Sequence, residues 1–445
     1  MLADWLPAIV MVVLFALGTP IAFAIAISAL SFFLVASDEV PLNIFVQKMV
    51  TATDSYPLLA IPFFVLAGAI MNRAGITRKL LALADALVGH VTGALAQMCT
   101  VLATLLGGLT ASSSADAAML AKVLGPEMTR HGYSRAFAAV ITSCAAIITA
   151  LIPPSIGLII YGYIADASIG RLFVGGIVPG LMLAGSLMIV TAIISKRRGY
   201  LPLRQARASR AELFTAFREA LWALSIPVFI IAGIRYGIFT PTEAGAITVL
   251  YVILVGLFAY RSLRLADLPK LLQETALDTA SVMLMICAAS AFGFYLAWER
   301  IPPQMAAWLV SLTQDPTMLL LLINVMLILL GTAVEGTSAL IILTPIFVPI
   351  LVKLGIDPVH FGIVLVTNLT IAGVTPPVGQ MMFIWPLLKF EWVDTAMFGL
   401  AVRVKGGRSP AQRTLDAGFR PLRWSSWPMR HPDASAMRSR SGSYA

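Results

Sequence analysis

Two stretches of this chain follow the same pattern. Residues 107–155 read GGLTASSSADAAMLAKVLGPEMTRHGYSRAFAAVITSCAAIITALIPPS, and residues 331–379 read GTAVEGTSALIILTPIFVPILVKLGIDPVHFGIVLVTNLTIAGVTPPVG. A shift of 223 positions places Gly108 on Gly331, Pro126 on Pro349, Gly132 on Gly355, and Pro153-Pro154 on Pro376-Pro377. Each copy starts at a Gly/Ser/Thr-rich break and continues through an apolar, helix-length segment to a Gly turn. A second apolar segment follows and ends in Pro-Pro. Any fold for the chain must build this unit twice.

The solvent for these units follows from composition. The 445 residues are 59% hydrophobic and 12% charged, more apolar surface than a water-soluble chain of this length can hide. An all-α polytopic membrane protein is expected, because the apolar runs are long and continuous rather than alternating as in a membrane β-barrel. Cys99, Cys144 and Cys287 stand alone within apolar runs and read as small buried hydrophobes. The first apolar run has neither a basic leader nor an A-x-A site and is expected to remain as a membrane helix. From residue 401 onward there are nine Lys/Arg and two Asp, so most of the formal +9 charge lies in the tail and gives no argument for nucleic-acid binding.

Taken in order, residues 5–35 are too long for one perpendicular span and break at Gly18-Thr19-Pro20. Residues 40–56 are more polar, and 57–71 form the next span. The first unit follows, with helices expected over 111–128 and 136–151, and then a span over 172–195. The expected domains are an N-terminal half over 1–195, a basic loop over 196–219, a C-terminal half over 220–402 and a basic tail over 403–445. Lys196, Arg197, Arg198, Arg204, Arg207 and Arg210 place the loop on the cytoplasmic side. Further helices are expected over 220–238, 243–260 and 279–297, with residues 298–303 ending the third. Thr240-Pro241-Thr242-Glu243 reads as a capping box, which gives Glu243 a structural task. The second unit runs through helices over 318–330, 336–352 and 361–375, and 381–402 is a last weak span. Asp85, Glu127 and Asp357 flank turns and read as solvated.

The doubled unit has a physical meaning in lipid. A helix interrupted at Gly and followed at once by a returning helix is a re-entrant hairpin, and Pro-Pro removes two amide donors and frees the carbonyls one turn earlier. Unpaired backbone at membrane depth is tolerated only where protein buries it or it lines a wet cavity. Paired interruptions in two halves point to a transporter of two inverted repeats with a binding site at the midplane. Helix N-termini at the tips suit carboxylates, while freed carbonyls and hydroxyls suit a hard monovalent cation. Thr110, Ser112, Ser113, Ser114, Thr337, Ser338 and Thr375 supply hydroxyls, and Ser155 and Asn368 add polar groups near the breaks. Each serine alone could equally mediate close helix packing. Asp116 is an intramembrane carboxylate that could bind ligand or cap its own helix, and Glu335 could sit at the tip or at an aqueous rim. There is no GxxxxGK[ST] for ATP-driven transport, no HExxH, and no His or Lys matched to a serine for proteolysis.

The order PLLAIPFFVLAGAIMNRAGITRKL (57–80), SSSADAAM (112–119), PEMTRHGYSRAFAA (126–139), IPPSIGLIIYG (152–162), GIFTPTEAGA (237–246) and GIDPVHFGIVLVTNL…TPPVG (355–379) resembles the large permease (DctM-like, M) subunit of TRAP transporters over about residues 1–385. The resemblance implies a non-enzymatic, sodium-coupled, elevator-type carrier of the ion-transporter superfamily in the bacterial inner membrane. It implies import of organic acids such as C4-dicarboxylates or sialic acid, with no cofactor beyond Na⁺ as coupling ion. The implied partners are a small four-helix membrane subunit (DctQ-like) and a periplasmic substrate-binding protein (DctP-like). With the residue reading, the substrate candidates are Ser112, Ser113, Asp116, Ser155, Glu335, Thr337 and Asn368. The resemblance carries family sodium-site positions onto Ser112, Ser113, Ser155 and Thr337 among them, and matches Asp116 to the family's acidic position. Sodium falls to Ser114, Pro153, Pro154, Gly331, Thr375, Pro376 and Pro377. A stand-alone sodium/dicarboxylate or anion carrier without a binding protein is the alternative, and a scaffold subunit without transport is a third reading. Residues 403–445 depart from the family pattern and are expected to be a disordered or frameshifted tail, against a basic tail drawn to anionic lipid.

Overall fold

The computed structural model describes residues 5–35, 40–107, 113–313, 315–375 and 381, and among these all regular structure is helical. The tail over 403–445 and the weak span over 382–402 lie outside the described residues. The first apolar run splits as its Gly-Thr-Pro predicts, into α1 (Leu6–Ala16) and α2 (Ile21–Val35), with Gly18 in the left-handed region. Then come α3 (Asn43–Thr51), α4 (Ala60–Arg73), α5 (Ile76–Val88) and α6 (Ala94–Leu106). The first unit contributes α7 (Ser113–Arg130), α8 (Arg135–Thr149) and, beyond the Pro-Pro break, α9 (Ile156–Ile164). After them run α10 (Ile169–Arg198), α11 (Arg210–Arg235), α12 (Pro241–Leu254), α13 (Leu268–Trp298) and α14 (Ile301–Leu312). The second unit comprises α15 (Pro316–Ala333), α16 (Gly336–Lys353) and α17 (Pro358–Ala372). The segments Tyr56–Arg73, Ile169–Arg198, Arg210–Arg235, Pro241–Ala259 and Leu265–Trp298 are helical stretches long and apolar enough to cross a bilayer.

The repeat is reproduced residue for residue. Moving the bounds of α7 by 223 gives those of α16, and moving those of α8 gives those of α17. Gly132 and Gly355, the turn between each pair, are both left-handed, with φ of 80° and 76°. α6 packs on α8 as α15 packs on α17. Helix α10 then shows how the two units point. At its C-terminal end, Arg198 donates to Ser134 Oγ at 3.4 Å, and Tyr200 stacks on Tyr133 at 4.1 Å, holding the Gly132 turn. At its N-terminal end, Arg171 pairs with Asp357 at 2.8 Å, holding the Gly355 turn. The 30 residues of α10 span about 45 Å. Equivalent turns at opposite ends of one membrane-crossing helix make the repeats inverted.

Three boundaries differ from the sequence reading, each for a local reason. The basic segment expected as a loop over 196–219 is non-helical only over 199–209. Ser209 and Glu212 form a reciprocal capping box that starts α11 ten residues early. α13 starts at Leu268 rather than 279, with Pro269 in its first turn and a polar stretch that remains helical. Residues 298–303 do not simply end a helix, because Pro302-Pro303 enters the first turn of α14. The Thr240–Glu243 capping box forms as read. The turn acids are engaged rather than merely solvated. Asp85 accepts from Arg204 at 2.6 Å, Glu127 pairs with Arg130 at 3.4 Å, and Asp357 caps α17 while pairing with Arg171.

Packing relies on small residues, as expected where lipid removes the hydrophobic drive for helix association. Gly362 lets α17 lie against the ring of Tyr161 on α9, and a Cβ there would overlap the ring. Gly176 on α10 likewise makes room for the Leu151 carbonyl at the first break. Asn368 Nδ2 donates to Asn324 Oδ1 at 2.8 Å, joining α17 to α15.

Candidate functional site

The two units meet around a cavity of about 600 Å³. The start of α7 brings Ser113 and Ser114, the start of α16 brings Glu335, Gly336 and Thr337, and the first break brings Ser155. The ends of α8 and α17 add Thr149 and Thr370. These positions converge because α7 and α16 both start at the cavity and α8 and α17 both end there. The opposite wall comes from α4 and α13, with Asn72, Glu274, Asp278 and Ser281. Glu274, Asp278, Ser281 and Met285 fall on one face of α13, at the spacing of helical neighbours.

Local bonds set what each group can offer. Ser155 N-caps α9, its Oγ accepting from Leu158 N–H at 3.4 Å, and it is buried. Glu335 N-caps α16, its Oε2 accepting from the N–H and the hydroxyl of Ser338, both at 2.9 Å. The start of α16 therefore already carries a carboxylate. The equivalent position in the first unit is Ser112. Thr149 and Thr370 direct their hydroxyls to carbonyls of their own helices, at 2.8 Å to Ala146 and Val366. The hydroxyls of Ser113, Ser114 and Thr337 make no hydrogen bond with a described residue, so they face the cavity with donor and acceptor capacity intact. No Lys or Arg lines this cavity among the described residues, while Glu274, Asp278 and Glu335 do.

The structure thus gathers Ser113, Ser114, Ser155, Glu335 and Thr337 from the residues singled out in the sequence. It puts Asp116, Asn368, Gly331, Thr375, Pro153 and Pro154 elsewhere. Asp116 is 1% exposed in the first turn of α7, on its buried face and outside the cavity wall. Asn368 is turned to Asn324. Gly331 packs against Ala372, and the Thr375 hydroxyl donates to the Ile371 carbonyl at 2.8 Å. Pro153 and Pro154, joined by a cis peptide, are buried. Ser112, Pro376 and Pro377 lie outside the described residues. Beyond the second break, Met381 accepts from Ser143 Oγ at 3.2 Å, so the second unit reaches back onto α8 of the first. Asn72, Glu274, Asp278 and Ser281 were not singled out from the sequence; for the α13 residues, a helical face extended N-terminally past residue 279 was the available signal. Among the described residues no group of three or more His, Cys, Asp or Glu could hold a metal ion. A hard monovalent cation would instead draw on hydroxyls, carbonyls and single carboxylates.

Inverted repeats with convergent broken helices around a polar cavity define a secondary-transporter architecture. The chain belongs to the family described as tripartite ATP-independent periplasmic transporter, DctM component, whose model matches residues 8–395. It is a non-enzymatic, multi-pass TRAP large permease of the inner membrane. It is 40% identical over 367 residues to the sialic acid TRAP transporter large permease protein SiaM of Vibrio cholerae, covering 82% of this chain and 85% of that one. It is 41% identical over 337 residues to the C4-dicarboxylate TRAP transporter large permease protein DctM of Pseudomonas aeruginosa, covering 76% and 78%. A match at 39% identity to the isethionate TRAP transporter permease protein DctMQ of Oleidesulfovibrio alaskensis covers 82% of this chain and 58% of that longer protein. The crystal structure of the Alcanivorax borkumensis YdaH transporter, described as having an unusual topology, shares the fold. Its TM-score is 0.57 at 16% identity, covering 78% of this chain and 81% of that one.

Proposed function

We propose that this permease imports organic acids, of the class that includes C4-dicarboxylates and sialic acid, coupled to Na⁺. It works with a small membrane subunit and a periplasmic substrate-binding protein. The observation that carries the reading is the convergence of Ser113, Ser114, Ser155, Glu335 and Thr337 on one cavity between the units. Hydroxyls with spare capacity beside helix starts suit a carboxylate and a partly dehydrated Na⁺ together. The names of the relatives supply the substrate class, and the fused DctMQ relative supports a small membrane subunit as partner. In the elevator reading, the hairpin units carry this cavity across the membrane against α4 and α13.

Uptake by the full chain reconstituted with both partners, in sodium and in choline, tests the proposal. Sodium-dependent uptake that requires the binding protein is expected. Equal uptake in choline would defeat the coupling, and uptake without the binding protein would favour a stand-alone carrier. Ser113→Ala or Thr337→Ala should raise the half-saturating Na⁺ or substrate concentration by about three- to tenfold, as loss of one productive hydrogen bond implies.

A further inference from the structure

A second cleft, of about 950 Å³, lies at the other end of the molecule from the basic 199–209 loop and shares no lining residue with the tip cavity. The basic loop is cytoplasmic by the positive-inside rule, so this cleft faces outward. Two elements join the clefts. Gly162 and Tyr163 at the C-terminal end of α9 line the outer one, while Ser155, Ile156 and Gly157 at its N-terminal end line the tip cavity. Similarly, Ser55, Tyr56 and Pro57 just before α4 line the outer cleft, and Asn72 near its end lines the inner one. The nine residues of α9 separate the clefts by about 13 Å.

Their charged groups differ. The inner cavity presents Glu274, Asp278 and Glu335 and no cation among the described residues. The outer cleft presents the guanidinium groups of Arg171 and Arg235 against one carboxylate, Asp166. The first turn of α10, capped only by the Ser168 hydroxyl, also lines it with its positive end, while the start of α12 carries the Glu243 carboxylate. Arg171 stays 67% exposed while paired with Asp357. Arg235 is exposed and makes no ion pair among the described residues. Planar guanidinium groups with a helix start beside them match a carboxylate in geometry and charge.

We propose that the outer cleft is a carboxylate-binding vestibule, with Arg235 as its anchoring cation, where an organic anion is held before it passes along α9 to the hairpin tips. The inference rests on the reading of the protein as an organic-acid importer and adds a site to it. The anion is collected at the Arg235 guanidinium, unpaired among the described residues, and the acidic inner cavity admits it together with a cation.

The test uses the full chain in proteoliposomes, with Cys99, Cys144 and Cys287 replaced by Ser. Reporter cysteines Ser55→Cys and, on the opposite wall, Val174→Cys are labelled from outside with an impermeant maleimide. Succinate and N-acetylneuraminate serve as probes and neutral succinamide as control. Either acid, at about ten times its dissociation constant, should slow labelling about tenfold. Succinamide should not, and adding Arg235→Gln should remove the protection while Arg235→Lys keeps part of it. No protection by either acid at both reporters, protection that survives Arg235→Gln, or failure of both reporters to label would overturn the vestibule. Protection by ligand-free binding protein but not by the acids would also overturn it, in favour of a docking surface. Sodium-dependent uptake by the same variants reconstituted with the small membrane subunit and the binding protein separates these results from failure of the importer reading.

Discussion

The two repeat units share helix bounds to the residue, yet they are anchored by different chemistry. In the first unit the turn, at the cytoplasmic end of α10, is held by an aromatic stack. Tyr200 lies on Tyr133, Arg198 sits over the Phe137 ring at 5.5 Å, and Tyr200 Oη accepts from Ser134 N–H at 3.3 Å. In the second, the equivalent turn is held by the exposed Arg171–Asp357 pair, and its helix is tied inside the membrane by Asn368–Asn324. The tips differ as well, with Glu335 capping α16 where the first unit has Ser112. The difference shows that duplication preserves backbone interruptions, which lipid makes costly to misplace. Side-chain anchors are free to diverge, because many contacts can hold a turn.

Breaking the seams should rank them. The largest effect is expected at Gly362, where α17 meets Tyr161. Gly362→Leu should destabilise by about 1–3 kcal/mol or more, read as a lower Tm in detergent and lost uptake. Its repeat-mate Ala139→Gly should cost about 1 kcal/mol or less. Next, Tyr200→Ala removes the aromatic clasp on the Gly132 turn of the first unit. It should cost about 0.5–1.5 kcal/mol beyond lost contact area and speed proteolysis of the 199–209 loop. Asn324→Leu and Asn368→Leu should each cost roughly 0.6–1.7 kcal/mol. The double substitution should cost less than their sum in a double-mutant cycle, because neither amide is then left alone in lipid.

The smallest effect should come from Asp357→Ser, which installs the first unit's cap in the second. Serine still caps α17, so only the exposed ion pair is lost, and such pairs contribute little and are screened by salt. The sign with pH is definite. The Val359 N–H, and then Arg171, hold the Asp357 carboxyl below its usual range. A depressed folded-state value means its contribution is present above the unfolded value of about 3.9 and is lost as pH falls through the folded one. Acid should therefore loosen the Gly355 turn in the wild type, seen as faster amide exchange there, and this step should vanish in Asp357→Ser. The Gly132 turn, capped by Ser134, should not show it.

Much of the fold was legible because lipid enforces local rules. Gly18-Thr19-Pro20, the Thr240–Glu243 box and the doubled Gly and Pro-Pro landmarks each dictate backbone within a few residues, and α7, α8, α16 and α17 follow them. The start of α13 was not legible. Its first turns carry Lys270, Glu274 and Asp278, which resemble a loop when apolar runs define helices, so the acidic cavity wall was missed. Asn368 was read toward the ligand because its partner, Asn324, lies 44 positions away on another helix. Arg171 and Arg235 could not be paired for the same reason.

The sequence alone thus determined that the chain lives in a membrane, that it is a duplicated unit, where its helices break and which family it resembles. These are properties of periodicity and of backbone donors lost to proline or freed by glycine, and they act over a few residues. Only the tertiary structure decided which hydroxyls reach the cavity and which turn back to carbonyls, and that acids gather in the inner cavity while Arg171 and Arg235 meet in the outer cleft. Those outcomes depend on distances between residues far apart in the chain. In lipid, such distances are set by close packing at small residues such as Gly176 and Gly362 rather than by hydrophobic patterning.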